Sequence, residues 1–223
     1  MTPKEQACGV VRILRKQYPD ATCTLAHQDP WQLLVASILS AQCTDARVNQ
    51  ITPALFARYP GLSELASADR AELEEIIRSC GLYRTKAKAL VESSRILMEQ
   101  YDGMVPQDRK ALMTLPGVGR KIANVILGDA FGIPAIVVDT HCARISRLIG
   151  LTDQKDPLLI ERDLAAVLDP SDWIDYGHLM VAHGRSICMA RRPQCSSCPL
   201  SKSGLCQFAT QKTKTGVEQR KHD

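Results

Sequence analysis

The stretch DRKALMTLPGVGRKIANVILGDAF, residues 108–131, places the loop Leu-Pro-Gly-Val-Gly between two helical patterns. Pro116 cannot extend the first helix, while Gly117 and Gly119 permit a tight turn and close approach of another backbone. The second helix would then begin with outward N–H groups, which attract phosphate. Four basic residues flank the loop and would grip phosphates without reading base sequence: Arg109, Lys110, Arg120 and Lys121. This pattern favours a helix-hairpin-helix element that binds DNA; the alternative is an ordinary glycine-containing turn.

Helical periodicity extends from this hairpin to most of the chain. Apolar or small residues recur at steps of three and four before Gly81 and again after Arg84. The run AIVV at 135–138 resembles a strand, but four residues make no sheet. The pattern predicts an all-α protein, with its best internal boundary at Gly132 to Pro134 and further helices at 4–17, 31–41, 45–58, 108–114, 119–131, 140–149, 157–168 and 173–187.

Composition and charge narrow the class of protein. The chain has 223 residues, of which 45% are apolar and 23% charged, as in an ordered globular protein. Aromatic residues make up 4%, which argues against a β-sandwich and against an aromatic platform for single strands. Residues 182–223 contain eight Lys or Arg and two acidic residues. This basic region fits a polyanionic partner, although a solvated basic tail is the alternative.

The cysteines divide into two groups. Five are scattered singly, and four lie within 19 residues near the C-terminus with the spacing C-x6-C-x2-C-x7-C: Cys188, Cys195, Cys198 and Cys206. Four thiolates so close together suit a zinc ion or a four-iron cluster, and the spacing alone does not choose between them. No run reaches the ~20 apolar residues of a membrane helix, and the N-terminus lacks the apolar core of a signal peptide. We therefore expect a reducing, cytoplasmic location without a membrane partner.

Several motifs together resemble the endonuclease III family of the helix-hairpin-helix DNA glycosylase superfamily. The resemblance runs from about residue 5 to Cys206 and includes SAQCTD (40–45), CGLYRTKA (80–87), LPGVGRK (115–121), VDTH (138–141), HGRSIC (183–188) and the four cysteines. It implies a two-lobed, all-α fold with a C-terminal iron-sulfur cluster loop. The implied parts are a hairpin lobe at 22–132, a cluster lobe of 1–21 plus 133–206, and a basic, flexible tail at 207–223.

The resemblance also implies catalytic roles for Lys121 and Asp139. As the nucleophile, an uncharged Lys121 amine would displace the damaged base and hold the opened sugar as a Schiff base. Asp139 would be its carboxylate partner and assist proton transfer. An exposed lysine has a pKa near ~10.4, so the site would have to lower that pKa. Read from the residues alone, Lys121 is a phosphate contact and Asp139 caps the helix that follows it.

Other family roles fall on residues that would contact DNA or metal. Gln42 and Leu82 would enter the duplex and fill the gap left by an extruded nucleotide; otherwise Gln42 ends a helix and Leu82 is an apolar anchor. Arg191 and Arg192, in the loop MARRPQ, would meet DNA phosphates together with Gly117, Gly119 and Arg120. The four cysteines would hold a [4Fe-4S] cluster that fixes this loop. The segment before Cys206 is two residues longer than the usual family spacing, C-x6-C-x2-C-x5-C.

The predicted function is a bifunctional DNA glycosylase and abasic-site lyase that excises oxidised pyrimidines in base excision repair. The expected partner is double-stranded DNA with a damaged base or an abasic site, bound by a monomer near the nucleoid. One alternative is a monofunctional mismatch glycosylase, against which Lys121 argues. Another is a non-catalytic helix-hairpin-helix protein with a structural metal.

Overall fold

The computed structural model describes residues 1–211 and divides the chain into two compact units. The hairpin unit is Cys23–Ile133, and the cysteine unit joins Met1–Thr22 to the chain from Pro134 onward. No strand occurs within residues 1–211, so the all-α prediction is confirmed. In that part of the chain no helix combines the length and the apolar character needed to span a membrane.

The α-helices follow one another closely along the chain. Their bounds are α1 Pro3–Gln17, α2 Pro30–Leu39, α3 Asp45–Arg58, α4 Leu62–Ala66, α5 Arg70–Ile76, α6 Tyr83–Gln100, α7 Arg109–Thr114, α8 Arg120–Val125, α9 Thr140–Ile149, α10 Pro157–Val167, α11 Trp173–Ser186 and α12 Pro199–Lys202.

Local sequence explains most helix starts. The side chains of Asp29, Thr44, Asp108 and Asp139 each accept a hydrogen bond from the backbone N–H of the third residue after them, as good N-caps do. Proline at the first position supports α1, α2, α10 and α12, because its missing N–H would be unpaired there anyway. Capping therefore fixes where these helices begin.

The hairpin unit is organised around α6. Helices α2, α4 and α5 pack against it. Its buried stripe runs through Lys86, Leu90, Ser93 and Leu97, at steps of four, three and four. The Ser93 hydroxyl donates to the carbonyl oxygen of Pro116 at 2.8 Å, which ties the hairpin loop to α6. Helix α6 also begins directly after residues 80–82, the sequence CGL. This one helix therefore positions both the LPGVG loop and the segment that carries Leu82.

One predicted element differs from the structure. The helix predicted over 119–131 is α-helical only to Val125, and residues Ile126–Ala130 form a π-helical turn. Gly132, at φ +65°, then ends the element. Its N–H donates to the carbonyl oxygen of Gly128, and the N–H of Ile133 donates to the carbonyl oxygen of Leu127. The strand-like run at 135–138 has no strand partner in the described chain. It has no regular secondary structure, and it buries Ala135 and Ile136.

The cysteine unit is built on α1, α9, α10 and α11 around a shared apolar core. Gln6 of α1 donates to the carbonyl oxygens of Ile149 at 2.7 Å and Leu205 at 3.0 Å, so the N-terminal helix secures the end of α9 and the chain just before Cys206. Of the predicted tail, residues 207–211 are helical and Ala209 is buried. Residues 212–223 lie outside the described part.

Candidate functional site

The hairpin loop depends on its two glycines in different ways. Gly117 has φ +81°, and a Cβ there would lie 3.1 Å from the Ala89 Cβ and 3.4 Å from Ile38. Gly117 therefore allows both the turn and the close packing of the loop on α2 and α6. Gly119 has φ −91°, and a Cβ there would meet no atom within 4 Å. The side of the loop at Gly119 is thus open to an approaching molecule.

Lys121 lies in the first turn of α8. Gly119 is the N-cap of this helix and supplies no side-chain hydrogen bond, so the first N–H groups of α8 have no side-chain acceptor from their cap. The Lys121 side chain is exposed, whereas the adjacent Arg120 is half-buried. The Lys121 amine is therefore accessible to a bound partner.

Asp139 lies in the cysteine unit, immediately before α9. Its Oδ1 accepts a hydrogen bond from the backbone N–H of Cys142 at 2.7 Å, so the side chain caps α9. The cap fixes the direction of a half-buried carboxylate and leaves one of its oxygens available.

Gln42 and Leu82 share an unusual backbone conformation. Within residues 1–211, the non-glycine residues with positive φ are Gln42 (+53°), Leu82 (+47°) and Asp102 (+50°). This conformation costs a non-glycine residue about 1–3 kcal/mol and recurs at functional sites. Both Gln42 and Leu82 are exposed, and Leu82 is 56% exposed although it is a large apolar residue. Neither side chain contributes to the core.

The turns that carry these two residues are joined inside the hairpin unit. Burial is the main cause that raises the pKa of the Cys80 thiol to about 11, and the neighbouring Cys43 thiol adds to this increase. Lys86 is 4% exposed and donates to the carbonyl oxygens of Leu39 at 2.8 Å and Cys80 at 2.7 Å. Burial lowers the pKa of Lys86. The sequence analysis did not single out Lys86, although its position on the apolar stripe of α6 was a signal.

The four clustered cysteines all line one pocket in the cysteine unit. The segment before Cys206 forms α12 and then reverses at Gly204, where φ is +73°. This fold accommodates the longer loop and brings Cys206 to the same pocket as Cys188, Cys195 and Cys198. Within residues 1–211, no three His, Cys, Asp or Glu side chains are grouped so that they could hold a metal ion.

Charged and polar groups surround these thiols. Arg144 donates to the Cys188 Sγ at 3.6 Å and to the Cys188 carbonyl oxygen at 2.6 Å. Burial raises the pKa of Cys188 and of Cys206, and the neighbouring thiols add to both increases. The His183 ring lies between the Tyr18 hydroxyl at 3.0 Å and the Cys198 Sγ at 3.5 Å. Burial, with the charge of Arg144, lowers the pKa of His183 to about 4, so this ring is neutral at pH 7.

Arg191 and Arg192 lie in the loop between the first two clustered cysteines. Both side chains are exposed. The loop is closed by a hydrogen bond from the Gln194 N–H to the Ile187 carbonyl oxygen at 2.9 Å. Two guanidinium groups therefore project from a loop whose ends are held near the thiol pocket.

Comparisons with known proteins agree with this arrangement. Residues 35–170 match the model of the HhH-GPD superfamily base excision DNA repair proteins. Endonuclease III of Synechocystis sp. is 52% identical, with 92% of this chain and 94% of that protein covered. Two solved structures, a non-covalent endonuclease III–DNA complex and a trapped endonuclease III–DNA covalent intermediate, each match with TM-score 0.88 and 42% identity, covering 96% of this chain and 100% of theirs. The chain belongs to the HhH-GPD superfamily of base excision DNA repair proteins and, within it, to the endonuclease III family.

Proposed function

We propose that this protein is a bifunctional DNA glycosylase and abasic-site lyase of base excision repair. The observation that carries the proposal is the position of Lys121, an exposed amine in the first turn of α8, directly after the LPGVG loop. The similarity to a trapped endonuclease III–DNA covalent intermediate over 96% of the chain supports a covalent route. The proposed substrate is double-stranded DNA that carries an oxidised pyrimidine or an abasic site.

Lys121 is the proposed nucleophile. Its uncharged Nζ attacks C1′ of the damaged nucleotide, the C1′–N bond to the base breaks, and the base leaves with that electron pair and takes up a proton. The nitrogen then loses a proton, the sugar ring opens and a Schiff base to C1′ remains. The iminium makes the C2′ proton acidic, so its removal expels the 3′ phosphate by β-elimination. Water finally hydrolyses the Schiff base and frees Lys121.

Asp139 is the proposed carboxylate of this reaction. Because its Oδ1 is fixed by the Cys142 N–H, the capping and catalytic interpretations of Asp139 are compatible. The second oxygen is available to accept a proton or to stabilise positive charge on the sugar. Helix α9 thus supplies the proposed carboxylate in a defined orientation.

The remaining proposed contacts hold DNA in a distorted form. Leu82 acts as the wedge and Gln42 as the amide that pairs with the base left unpaired. Both side chains are exposed on strained turns, which supports an external role. We propose that the backbone at Gly117 and Gly119, together with Arg120, Arg191 and Arg192, contacts phosphates. These contacts are independent of base sequence.

We propose that Cys188, Cys195, Cys198 and Cys206 hold a [4Fe-4S] cluster. Four thiolates suit either a zinc ion or a [4Fe-4S] cluster. The four thiols line one pocket of the cysteine unit, and the similarity to endonuclease III favours the cluster. When bound, the cluster would anchor the loop that carries Arg191 and Arg192, and none of the steps above requires it.

The glycosylase proposal has two rivals. A monofunctional mismatch glycosylase needs no amine nucleophile, and the exposed Lys121 after the hairpin argues against it. A non-catalytic DNA-binding protein would use Lys121 only for phosphate contact. Colour and iron content separate the metal alternatives, since an iron-sulfur protein is brown and a zinc protein is colourless.

Borohydride trapping on abasic-site DNA tests the proposal. The wild type should form a covalent adduct that resists denaturation, and Lys121→Gln should form none. Lys88→Gln is the matched control, because Lys88 is 60% exposed and pairs with Glu92 at 3.6 Å. A wild type that binds the DNA without forming an adduct would identify a binding protein. Cleavage across a panel of oxidised pyrimidines, oxidised purines, uracil and mismatches then defines the lesion.

A further inference from the structure

Lys86 is a buried cation without an anionic partner. Its side chain is 4% exposed, and no carboxylate within residues 1–211 forms an ion pair with it. The Nζ instead donates to two backbone carbonyl oxygens, of Leu39 at 2.8 Å and of Cys80 at 2.7 Å. Burying an ammonium group this way is costly compared with an apolar residue of similar length. A residue that stabilises the fold so inefficiently is a candidate for a functional role.

The two carbonyl groups identify what Lys86 connects. Leu39 is the last residue of α2, three residues before Gln42. Cys80 ends the 3-10 turn Arg78–Cys80, two residues before Leu82. Both acceptors lie at helix C-termini, where unpaired carbonyls favour a cation. One ammonium group therefore ties together the chain segments that lead into the two strained turns.

The backbone of Lys86 makes a further connection to Leu82. Its N–H donates to the carbonyl oxygen of Leu82 at 3.0 Å, the first helical hydrogen bond of α6. A strained, left-handed residue persists only when its surroundings over-determine it. At Leu82, Lys86 supplies such constraint from both its main chain and its side chain. At Gln42, the constraint reaches the turn through the end of α2.

We propose that Lys86 is a positioning residue that fixes the Gln42 turn and the Leu82 turn relative to each other, so that the two side chains enter the duplex together. This inference rests on the proposed function, because it assumes that both residues fill the gap beside an extruded nucleotide. Lys86 itself touches neither DNA nor reacting atoms. Its effect is on extrusion and gap filling rather than on attack at C1′.

The test compares Lys86→Met with the wild type on two substrates. The first is a duplex with an oxidised pyrimidine, which requires extrusion before reaction. The second is a single-stranded abasic oligonucleotide with borohydride, where no gap forms. We expect the single-turnover rate on the duplex to fall by about tenfold or more, while trapping on the single strand changes by less than about twofold. Equal losses on both substrates, or no loss on either, would overturn the proposal.

A spectroscopic measurement reports extrusion without chemistry. The probe is a duplex in which 2-aminopurine faces a stable tetrahydrofuran analogue of the abasic site. Insertion of Gln42 and Leu82 should change the 2-aminopurine fluorescence with the wild type, and Lys86→Met should lose most of that change at saturating protein. Lys86→Arg, which keeps a charged donor, should recover at least half of it. A full signal with Lys86→Met would contradict the inference.

Lys88→Met is the matched control on the same helix, since Lys88 is exposed and Lys86 is buried. It should leave both the rates and the fluorescence within about twofold of the wild type. If Lys86→Met does not fold, Gln42→Ala and Leu82→Ala take its place. If the two turns act as one unit, the loss of duplex rate in the double variant should be smaller than the product of the losses in Gln42→Ala and Leu82→Ala. Independent, multiplicative effects would overturn it.

The two proposals fail in distinguishable ways. If the wild type forms no borohydride adduct, the glycosylase and lyase function is wrong whatever Lys86 does. If the wild type forms the adduct and Lys86→Met matches it in duplex rate and fluorescence, only the positioning role is wrong.

Discussion

Gly117 and Gly119 are two residues apart, but only Gly117 has a backbone conformation and a close packing that favour glycine. Gly117→Ala would place a Cβ 3.1 Å from the Ala89 Cβ at a φ of +81°. The left-handed conformation and the overpacking together should cost about 2–4 kcal/mol in the free energy of unfolding. Urea denaturation measures this loss. An unfolding midpoint equal to that of the wild type would contradict the packing described for the loop.

Gly119→Ala is the companion change and separates stability from binding. The new methyl group meets open space at a φ of −91°, so stability should change by no more than about 1 kcal/mol. If a DNA backbone approaches this face, the methyl group should still weaken binding to an abasic-site duplex by several-fold. A fluorescence anisotropy titration checks this. Unchanged affinity would place the DNA contact elsewhere.

Single residues also show where prediction from sequence ends. The amino-acid sequence predicts the turn at the glycine- and proline-containing hairpin loop, and it also predicts that Asp139 caps a helix. The left-handed backbones of Gln42 and Leu82 are not, because neither residue type prefers that conformation. Lys86 was missed because lysine is nearly always exposed, and its burial depends on two backbone carbonyls, of which that of Leu39 lies 47 residues away.

At the scale of elements, Asp139 is the N-cap of helix α9 and also the proposed carboxylate of the reaction. Asparagine is an equally good N-cap, so Asp139→Asn should keep the free energy of unfolding within about 0.5 kcal/mol while losing the charge. The single-turnover rate of base excision should fall by about 100-fold or more. Asp139→Ala should lose the rate and, in addition, about 1 kcal/mol of stability. Urea denaturation and single-turnover assays of both variants measure these changes. Wild-type excision by Asp139→Asn would limit Asp139 to capping.

Helix boundaries were predicted best where capping chemistry is local. Helix α3 begins at Asp45 and ends at Arg58, as the pattern over 45–58 indicates. The second hairpin helix is the main exception, since its last turn is π-helical from Ile126 to Ala130. A π turn shifts the register by one residue and depends on packing, so the apolar period of the sequence does not reveal it. The short helix α4 was not predicted either.

At the scale of the whole molecule, the proposed phosphate contacts predict how DNA affinity depends on salt concentration. If Arg191 and Arg192 each contact a phosphate, replacing either with glutamine should reduce the slope of log affinity against log salt by about 0.9. Affinity should fall equally for DNA of any base sequence. Arg162→Gln is the control, since Arg162 is 70% exposed and pairs with Asp163. If the slope of log affinity against log salt equals that of the wild type in both variants, neither arginine contacts a phosphate.

The fold class follows from the sequence because helical periods and caps recur along most of the chain, and the structure confirms an all-α protein. The pairing of α1 with the C-terminal helices is not local. It depends on contacts such as Gln6 with the carbonyl oxygens of Ile149 and Leu205, which join positions far apart in the chain. Long-range contacts of this kind leave no periodic pattern in the sequence. This arrangement was therefore implied by the resemblance to the endonuclease III family and not by the sequence pattern.

The most direct test of the account locates the covalent bond itself. The borohydride-trapped complex with abasic DNA is digested with protease and nuclease, and the modified peptide is sequenced by mass spectrometry. The account predicts a reduced sugar remnant on the Nζ of Lys121. A remnant on another lysine or on the N-terminal amine would contradict the assignment of Lys121 as the nucleophile.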